Sequence, residues 1–180
     1  MTDCYIALGS NLENPLQQLR DAIAALAGLP ASQLAAVSRA YTSAAVGPGE
    51  QPDYLNAAAR LDTELAPLQL LDALQDIEDR QGRTRGERWS ARTLDLDLLL
   101  YGDTTLSTER LTLPHPRMSE RNFVLYPLLD VADANLMLPD GRKLDTLVSA
   151  CPGEVLAAIS DSLTSTDRGG RGEHEGQSRE

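Results

Sequence analysis

Apolar and polar positions along this chain fall into blocks with two different periods. Tyr5-Ile6-Ala7-Leu8 is an unbroken apolar run that reads as a buried strand, and Gly9-Ser10-Asn11 reads as the turn that ends it. Asn14 is placed to cap a helix opened by Pro15. Leu16, Leu19, Ile23 and Leu26 follow at helical spacing, and Gly28 ends the helix. Residues 34–42 and 54–63 read as two further strands. The loop between them, 46–52, has two glycines and two prolines. Pro67 opens a second helix with an apolar stripe of Leu70, Leu71, Leu74 and Ile77, stopping near Gly82. An arginine-rich loop, 83–92, leads into a strand from Thr93 to Tyr101. The order β-α-β-β-α-β predicts an α+β fold, a ferredoxin-like sandwich with a mostly antiparallel sheet and helices over one face. Beyond it a helix is expected within 119–131, broken near Pro127, and another over 143–160. From about Ser160 the chain turns polar and glycine-rich, so residues 1–160 are expected to form the domain and 161–180 a disordered tail. Removing residues 162–180 is expected to leave activity unchanged.

The 180 residues suffice for one domain with a real core. The formal charge is −11, from 16 basic and 27 acidic residues, which argues against nucleic-acid or membrane partners. Fifteen of the 16 basic residues are arginine, and Lys143 is the only lysine. Cys4 and Cys151 match no metal-binding spacing and are expected to be buried free thiols. His115 and His174 are the only histidines, so a zinc site is not expected. The N-terminus has no basic and apolar leader pattern, and no run of 18 apolar residues occurs. A soluble cytoplasmic monomer is the expectation.

The most informative segment is Thr93-Leu94-Asp95-Leu96-Asp97-Leu98-Leu99-Leu100. Period-two alternation places Leu94, Leu96 and Leu98 on one strand face and Asp95 and Asp97 on the other, with Cα atoms roughly 6.5–7 Å apart. So apolar a strand is expected to lie centrally in the sheet. Two parallel carboxylates repel unless a cation lies beside them. Hard oxygen ligands suit Mg²⁺ shared with substrate phosphates, whereas a water-facing or arginine-paired aspartate couple is the alternative. Arg80, Arg83, Arg85, Arg88 and Arg92 crowd the thirteen positions just before the pair. Guanidinium forks suit phosphate oxygens, so acidic pair and basic loop together suggest a metal–polyphosphate ligand; a salt-bridged surface loop is the alternative. No P-loop motif, GxGxxG or GxSxG occurs.

These segments, with Tyr5–Leu12, Gly47-Pro48, Gln51–Ala58, Gln81-Gly82-Arg83, Glu87–Asp97, Leu113–Pro116 and Arg121–Phe123, span most of the expected domain in order. The chain resembles the 6-hydroxymethyl-7,8-dihydropterin pyrophosphokinases of folate biosynthesis. The resemblance implies a ferredoxin-like fold and Mg²⁺-dependent transfer of pyrophosphate from ATP to the pterin hydroxymethyl group, releasing AMP. It implies that Asp95 and Asp97 hold two Mg²⁺ ions, that Arg83 and Arg92 face the phosphates, and that either the metal or Asp97 activates the hydroxyl. It implies nucleotide contacts from Gln75, Glu78, Arg85, Arg88, Trp89, Arg92, Leu98, Arg110, Thr112, His115 and Arg121. Pterin contacts are implied for Ser43, Ala44, Ala45, Val46, Gly47, Tyr54, Asn56, Trp89, Asp95 and Phe123, with Tyr54 and Phe123 as the aromatic walls. The chain departs from the family pattern at Ala44-Ala45, Ser90-Ala91 and Pro116, where Pro-Pro, Gly-Pro and an aromatic residue are common. Another Mg²⁺-dependent transferase, such as a nucleotidyltransferase, and a ferredoxin-like binding module are the competing classes.

Overall fold

The computed structural model describes residues 1–12, 14–45, 47–82 and 94–164. The strands of the main sheet are β1 (Thr2–Ser10), β2 (Ser32–Val37), β3 (Tyr41–Ser43), β4 (Tyr54–Thr63) and β5 (Asp95–Tyr101). They pair antiparallel throughout, in the order β2-β4-β1-β5, with β3 also on β4. That order is the ferredoxin-like one expected from the element sequence. A small hairpin of β6 (Leu106–Ser107) and β7 (Thr112–Leu113) follows.

Helix α1 (Pro15–Ala27) begins as its sequence dictates. The Asn14 side chain accepts from Gln17 N at 3.4 Å, and Gly28 N closes the far end on Ala24 O and Ala25 O. Helix α2 (Pro67–Arg80) also starts at a proline, and Gln69 Oε1 accepts from Ala66 N at 2.9 Å. Leu19, Ile23 and Leu26 of α1 and Leu70, Leu74 and Ile77 of α2 pack with Ile6, Leu8, Ala57, Ala59, Leu61, Leu94, Leu96 and Leu98 on one face of the sheet.

The opposite face is covered as well. Helices α3 (Asn122–Val131) and α4 (Leu144–Ala150) bury Val124, Leu125, Leu128, Val131, Leu144 and Leu147 against Tyr5, Ala7, Ala58, Leu99 and Leu100. One-sided coverage, expected from the βαββαβ core, is therefore supplemented by the C-terminal helices. Helix α3 continues through Pro127 instead of breaking there. Proline removes one N–H, but the buried neighbours on both sides hold the helix in place. Helix α4 stops at Ala150, well short of 160, because Pro152 and Gly153 follow at once.

Three further expectations change. The single strand over 34–42 is two strands, β2 and β3, interrupted at residues 38–40. There Ser38 Oγ accepts from Ala58 N at 2.7 Å, filling the gap in the ladder. Gly9 and Ser10 belong to β1 rather than to a turn. Strand β5 lies at the sheet edge, not at its centre. Its outer backbone groups are met by other partners: Leu96 N donates to Glu78 Oε1 at 2.7 Å, and His115 N donates to Leu99 O at 2.9 Å. A strand covered on both faces and along its rim reads as apolar as a central one.

The packed chain also extends past residue 160. Ile159 N donates to Ala40 O, Arg20 donates twice to Ser162 O, and Leu163 is 4% exposed in the α1/α2 core. The expected tail boundary at 160 thus falls short, because one leucine in a polar stretch is enough to dock it. Residues 165–180 lie outside the described ones. Cys4 is buried, and burial pushes its thiol up to about 12, whereas Cys151 is partly exposed rather than buried. Among the described residues no helix is long and apolar enough to cross a membrane.

Candidate active site

Sheet register assembles the site. One row crosses the sheet from Tyr41 through Asn56 and Gly9 to Asp95. The next passes through Ala58 and Ala7 to Asp97. Ser43 pairs with Tyr54 one step further out. Period two turns all of these toward the α3 face. At the inner end this face is apolar and closed by α3 and α4. At the outer end Gly9, Ser43, Tyr54, Asp95 and Asp97 are only half-buried. The expected segregation of leucines and aspartates in β5 is therefore present, and Leu94, Leu96 and Leu98 are all in the opposite core. It ends at a bulge. Ile6 pairs with Leu98 but Tyr5 with Leu100, so Leu99 is the extra residue and Leu100 turns to the α3 face.

Gly9 forms the floor of this open end. A side chain there would come within 3.7 Å of Asn56 Oδ1 and 3.8 Å of the Tyr54 ring. Glycine therefore leaves the space between Asn56 and Tyr54 open. Asn56 is nearly buried, and its amide nitrogen donates to Tyr41 O at 3.1 Å and Ser43 Oγ at 2.8 Å. Beyond β1, Asn11 is 2% exposed and donates to Pro52 O at 3.2 Å, tying the 47–53 segment to the strand end.

The remaining wall comes from the segment between β7 and α3. His115 is fixed by its own backbone bond to β5, and its Nδ1 accepts from Arg117 N at 3.2 Å. A neutral imidazole bonded in this way carries its proton on Nε2. Burial holds the His115 pKa below the ordinary histidine value; Arg121 lowers it further, Asp95 opposes, and Arg117 adds to the lowering. Those influences place His115, Arg121 and Asp95 in one electrostatic neighbourhood. The Arg121 guanidinium lies 5.7 Å from the Phe123 ring centre, and Phe123 packs at the margin of the α3 core.

A second group of expected residues lies around α2. Glu78 is 3% exposed and braces β5 between the two aspartates through Leu96 N. Gln75, one turn earlier, is half-buried. Leu98 is buried in the core beneath this helix, with its side chain on the face opposite the aspartates. Arg110 is ion-paired with Asp72 of α2, and Thr112 is exposed on β7. Ala44 and Ala45 follow β3, and Gly47 adopts a φ of 137°, suited to glycine. Val46, Arg83, Arg85, Arg88, Trp89 and Arg92 lie outside the described residues. Gly9, Asn11 and Tyr41 were not expected as site-builders. The signal for Gly9 was a glycine directly following a buried strand, which reads equally well as a turn.

What the donor set can hold follows from its chemistry. Asp95 and Asp97 offer hard oxygens only, and among the described residues no cluster of three or more metal-ligating side chains occurs. Two carboxylates without nitrogen or sulfur fit Mg²⁺, which fills its other positions with water and phosphate oxygens.

The sequence profile of the 7,8-dihydro-6-hydroxymethylpterin-pyrophosphokinase (HPPK) family matches residues 5–133. The chain belongs to that family. The match runs from β1 to the end of α3 and contains every candidate residue named above. A 2-amino-4-hydroxy-6-hydroxymethyldihydropteridine pyrophosphokinase of Pseudomonas aeruginosa is 55% identical over 150 residues, covering 83% of this chain and 92% of that one. The protein of the same name from Haemophilus influenzae is 50% identical over 148 residues, covering 82% and 92%. Among solved structures, Plasmodium falciparum HPPK-DHPS with pteroate superposes with a TM-score of 0.64 at 12% identity, over 82% of this chain and 42% of that one. An HPPK-DHPS in complex with substrates gives 0.65 at 10% identity, over 83% and 43%. The chain thus spans under half of those longer proteins, and their likeness shows the HPPK fold.

Proposed function

We propose that this HPPK family member catalyses Mg²⁺-dependent transfer of the β,γ-pyrophosphoryl group of ATP to the hydroxymethyl group of 6-hydroxymethyl-7,8-dihydropterin. The pterin hydroxymethyl oxygen forms a bond to the β-phosphorus, the bond from that phosphorus to the α–β bridging oxygen breaks, and the hydroxyl proton is released. The products are AMP and the pterin pyrophosphate. The observation that carries this reading is the sheet register, which puts Asp95 in one row with Gly9 and Asn56, and Asp97 and Tyr54 in the rows to either side, on one face of the sheet.

Asp95 and Asp97 would hold the Mg²⁺, as a pair of ions shared with the triphosphate. When bound, the metal supplies charge neutralisation and a more acidic hydroxyl. The chain's own groups do the rest. His115 offers an Nε2–H donor and Arg121 a cation to the phosphates. Arg83 and Arg92 are proposed to join them, with Arg85, Arg88 and Trp89 closing over the nucleotide. Gln75, Glu78, Arg110 and Thr112, gathered around α2 and β7, are proposed to take the adenosine end, whereas the expected Leu98 side chain is buried in the core beneath them and does not reach it. Glu78 does so as a brace of β5 as much as a contact. Tyr54 and Phe123 would flank the pterin over Gly9, with Asn56 at its polar edge and Ser43, Ala45, Val46 and Gly47 lining the loop side.

Incubation with ATP, Mg²⁺ and 6-hydroxymethyl-7,8-dihydropterin tests this. AMP and pterin pyrophosphate in equal amounts are expected. Release of free pyrophosphate, with AMP joined to the acceptor, would indicate a nucleotidyltransferase instead. No AMP would refute the reading.

A further inference from the structure

We propose that Ser43 is a positioning residue for pterin selection: with the Tyr41 carbonyl it fixes the Asn56 amide so that only the carbonyl oxygen is offered to the ligand. This rests on the reaction proposed above. The Tyr41 carbonyl can only accept a hydrogen bond, so the Asn56 atom 3.1 Å away is the nitrogen. Ser43 Oγ, at 2.8 Å, takes the second N–H. Both donors of the amide are therefore consumed inside the protein. Asn56 is only 5% exposed. Turning the amide over would set Oδ1 against the Tyr41 oxygen with no water to relieve it.

The oxygen left over points toward the volume that Gly9 keeps clear, 3.7 Å from where a side chain would begin. A ring lying on Gly9 thus meets an acceptor and must present an N–H. The pyrimidine edge of a dihydropterin carries such donors on its ring nitrogen and its amine. A flat heterocycle presenting only acceptors there would leave buried lone pairs facing each other, which is a strong ground for rejection. The Tyr41 carbonyl sets the direction of the amide, and Ser43 removes its remaining freedom. The Tyr41 ring is held in turn, because its hydroxyl donates to Asp130 Oδ2 of α3 at 2.8 Å.

The test uses the full chain and compares wild type, Ser43→Ala and Ser43→Thr. Ser43→Ala is expected to raise the KM for the pterin roughly three- to tenfold, the range of one lost hydrogen bond. Its kcat and its KM for ATP should stay within about twofold of wild type, since uniform binding of one substrate is what is lost. Ser43→Thr keeps the hydroxyl and should restore the pterin KM. Independently of turnover, both Asn56 side-chain amide protons should be protected from solvent exchange in the NMR spectrum of the ligand-free protein. Ser43→Ala should release one of them. A pterin KM unchanged in Ser43→Ala, or a KM for ATP that rises equally, would overturn the proposal. So would two rapidly exchanging Asn56 protons in wild type. If no form turns over the pterin, the reaction proposed above fails, and the amide protons alone then judge the orientation of Asn56.

Discussion

The two faces of the sheet are made by the same strands and do opposite work. Toward α1 and α2, Ile6, Leu8, Leu61, Leu94, Leu96 and Leu98 form an uninterrupted dry layer. Toward α3 the layer is apolar at Tyr5, Ala7, Ala58 and Leu99, then gives way to Gly9, Asn56, Asp95 and Asp97. One residue step along β5 separates a core leucine from a carboxylate. The difference teaches that this fold separates stability from chemistry by side-chain parity, not by domain. A substitution at an odd position of β5 before the bulge should change the reaction, and one at an even position should change the fold.

The sharpest way to break the comparison is Asp97→Ala. Turnover should fall on the order of 10³-fold or more, as expected when charge at a transferring phosphoryl group loses its counterpart. Its thermal midpoint should stay close to wild type. A variant that keeps its activity at saturating Mg²⁺, or that unfolds, would show that the faces are not separated. On the opposite face, Leu61→Ala should cost about 2–5 kcal/mol of stability, because a fully buried side chain leaves a cavity. Urea unfolding measures this, and kcat per folded molecule should be little changed.

A smaller effect tests how far the α1/α2 face extends along the chain. Leu163→Ala, or truncation after Asp161, should cost about 2–3 kcal/mol, the low end for a leucine docked from a terminal segment. Equal stability of truncated and full chains would show that the docking of 159–163 carries no weight.

The smallest effect concerns the clasp behind the α3 face. Burial pushes the Asp130 carboxyl up, but hydrogen bonds from the Arg39 side chain, Tyr41 and the Arg39 backbone bring it to a net value below the ordinary one. A carboxyl whose pKa is lower when folded stabilises the protein above its unfolded pKa, about 4, and loses that contribution as pH falls through the folded value. The stability gap between wild type and Asp130→Asn should therefore be level near neutrality and close below about pH 4. A gap that widens on acidification would contradict the assignment.

Much of this was legible along the chain. Asn14-Pro15 and Pro67 mark helix starts because capping and proline geometry are local. The Leu94–Asp97 alternation announces the site because parity is local too. What depended on distant partners was not legible. β5 reads as central because nothing nearby in sequence reveals that Glu78 and His115 cover its rim. The break between β2 and β3 hangs on one hydroxyl, Ser38, meeting Ala58 across 20 positions. The bulge at Leu99 appears only once β1 is paired, and it decides which face Leu100 joins. Leu163 looked like part of a polar tail because its pocket is built by residues far earlier in the chain. Within the site, the aspartates were evident, but the floor at Gly9 and the lock on Asn56 arise from register across three strands.

The central claim is that the open end of the α3 face binds the substrates. Backbone amide shift mapping with a non-hydrolysable Mg²⁺–ATP analogue and the dihydropterin tests it most directly. Saturable shifts should centre on Gly9, Asn56, Asp95, Asp97 and His115, while the amides of Ile23 and Leu61 stay in place. Saturable shifts centred on α1 and β2, with Gly9 and Asn56 unmoved, would contradict it.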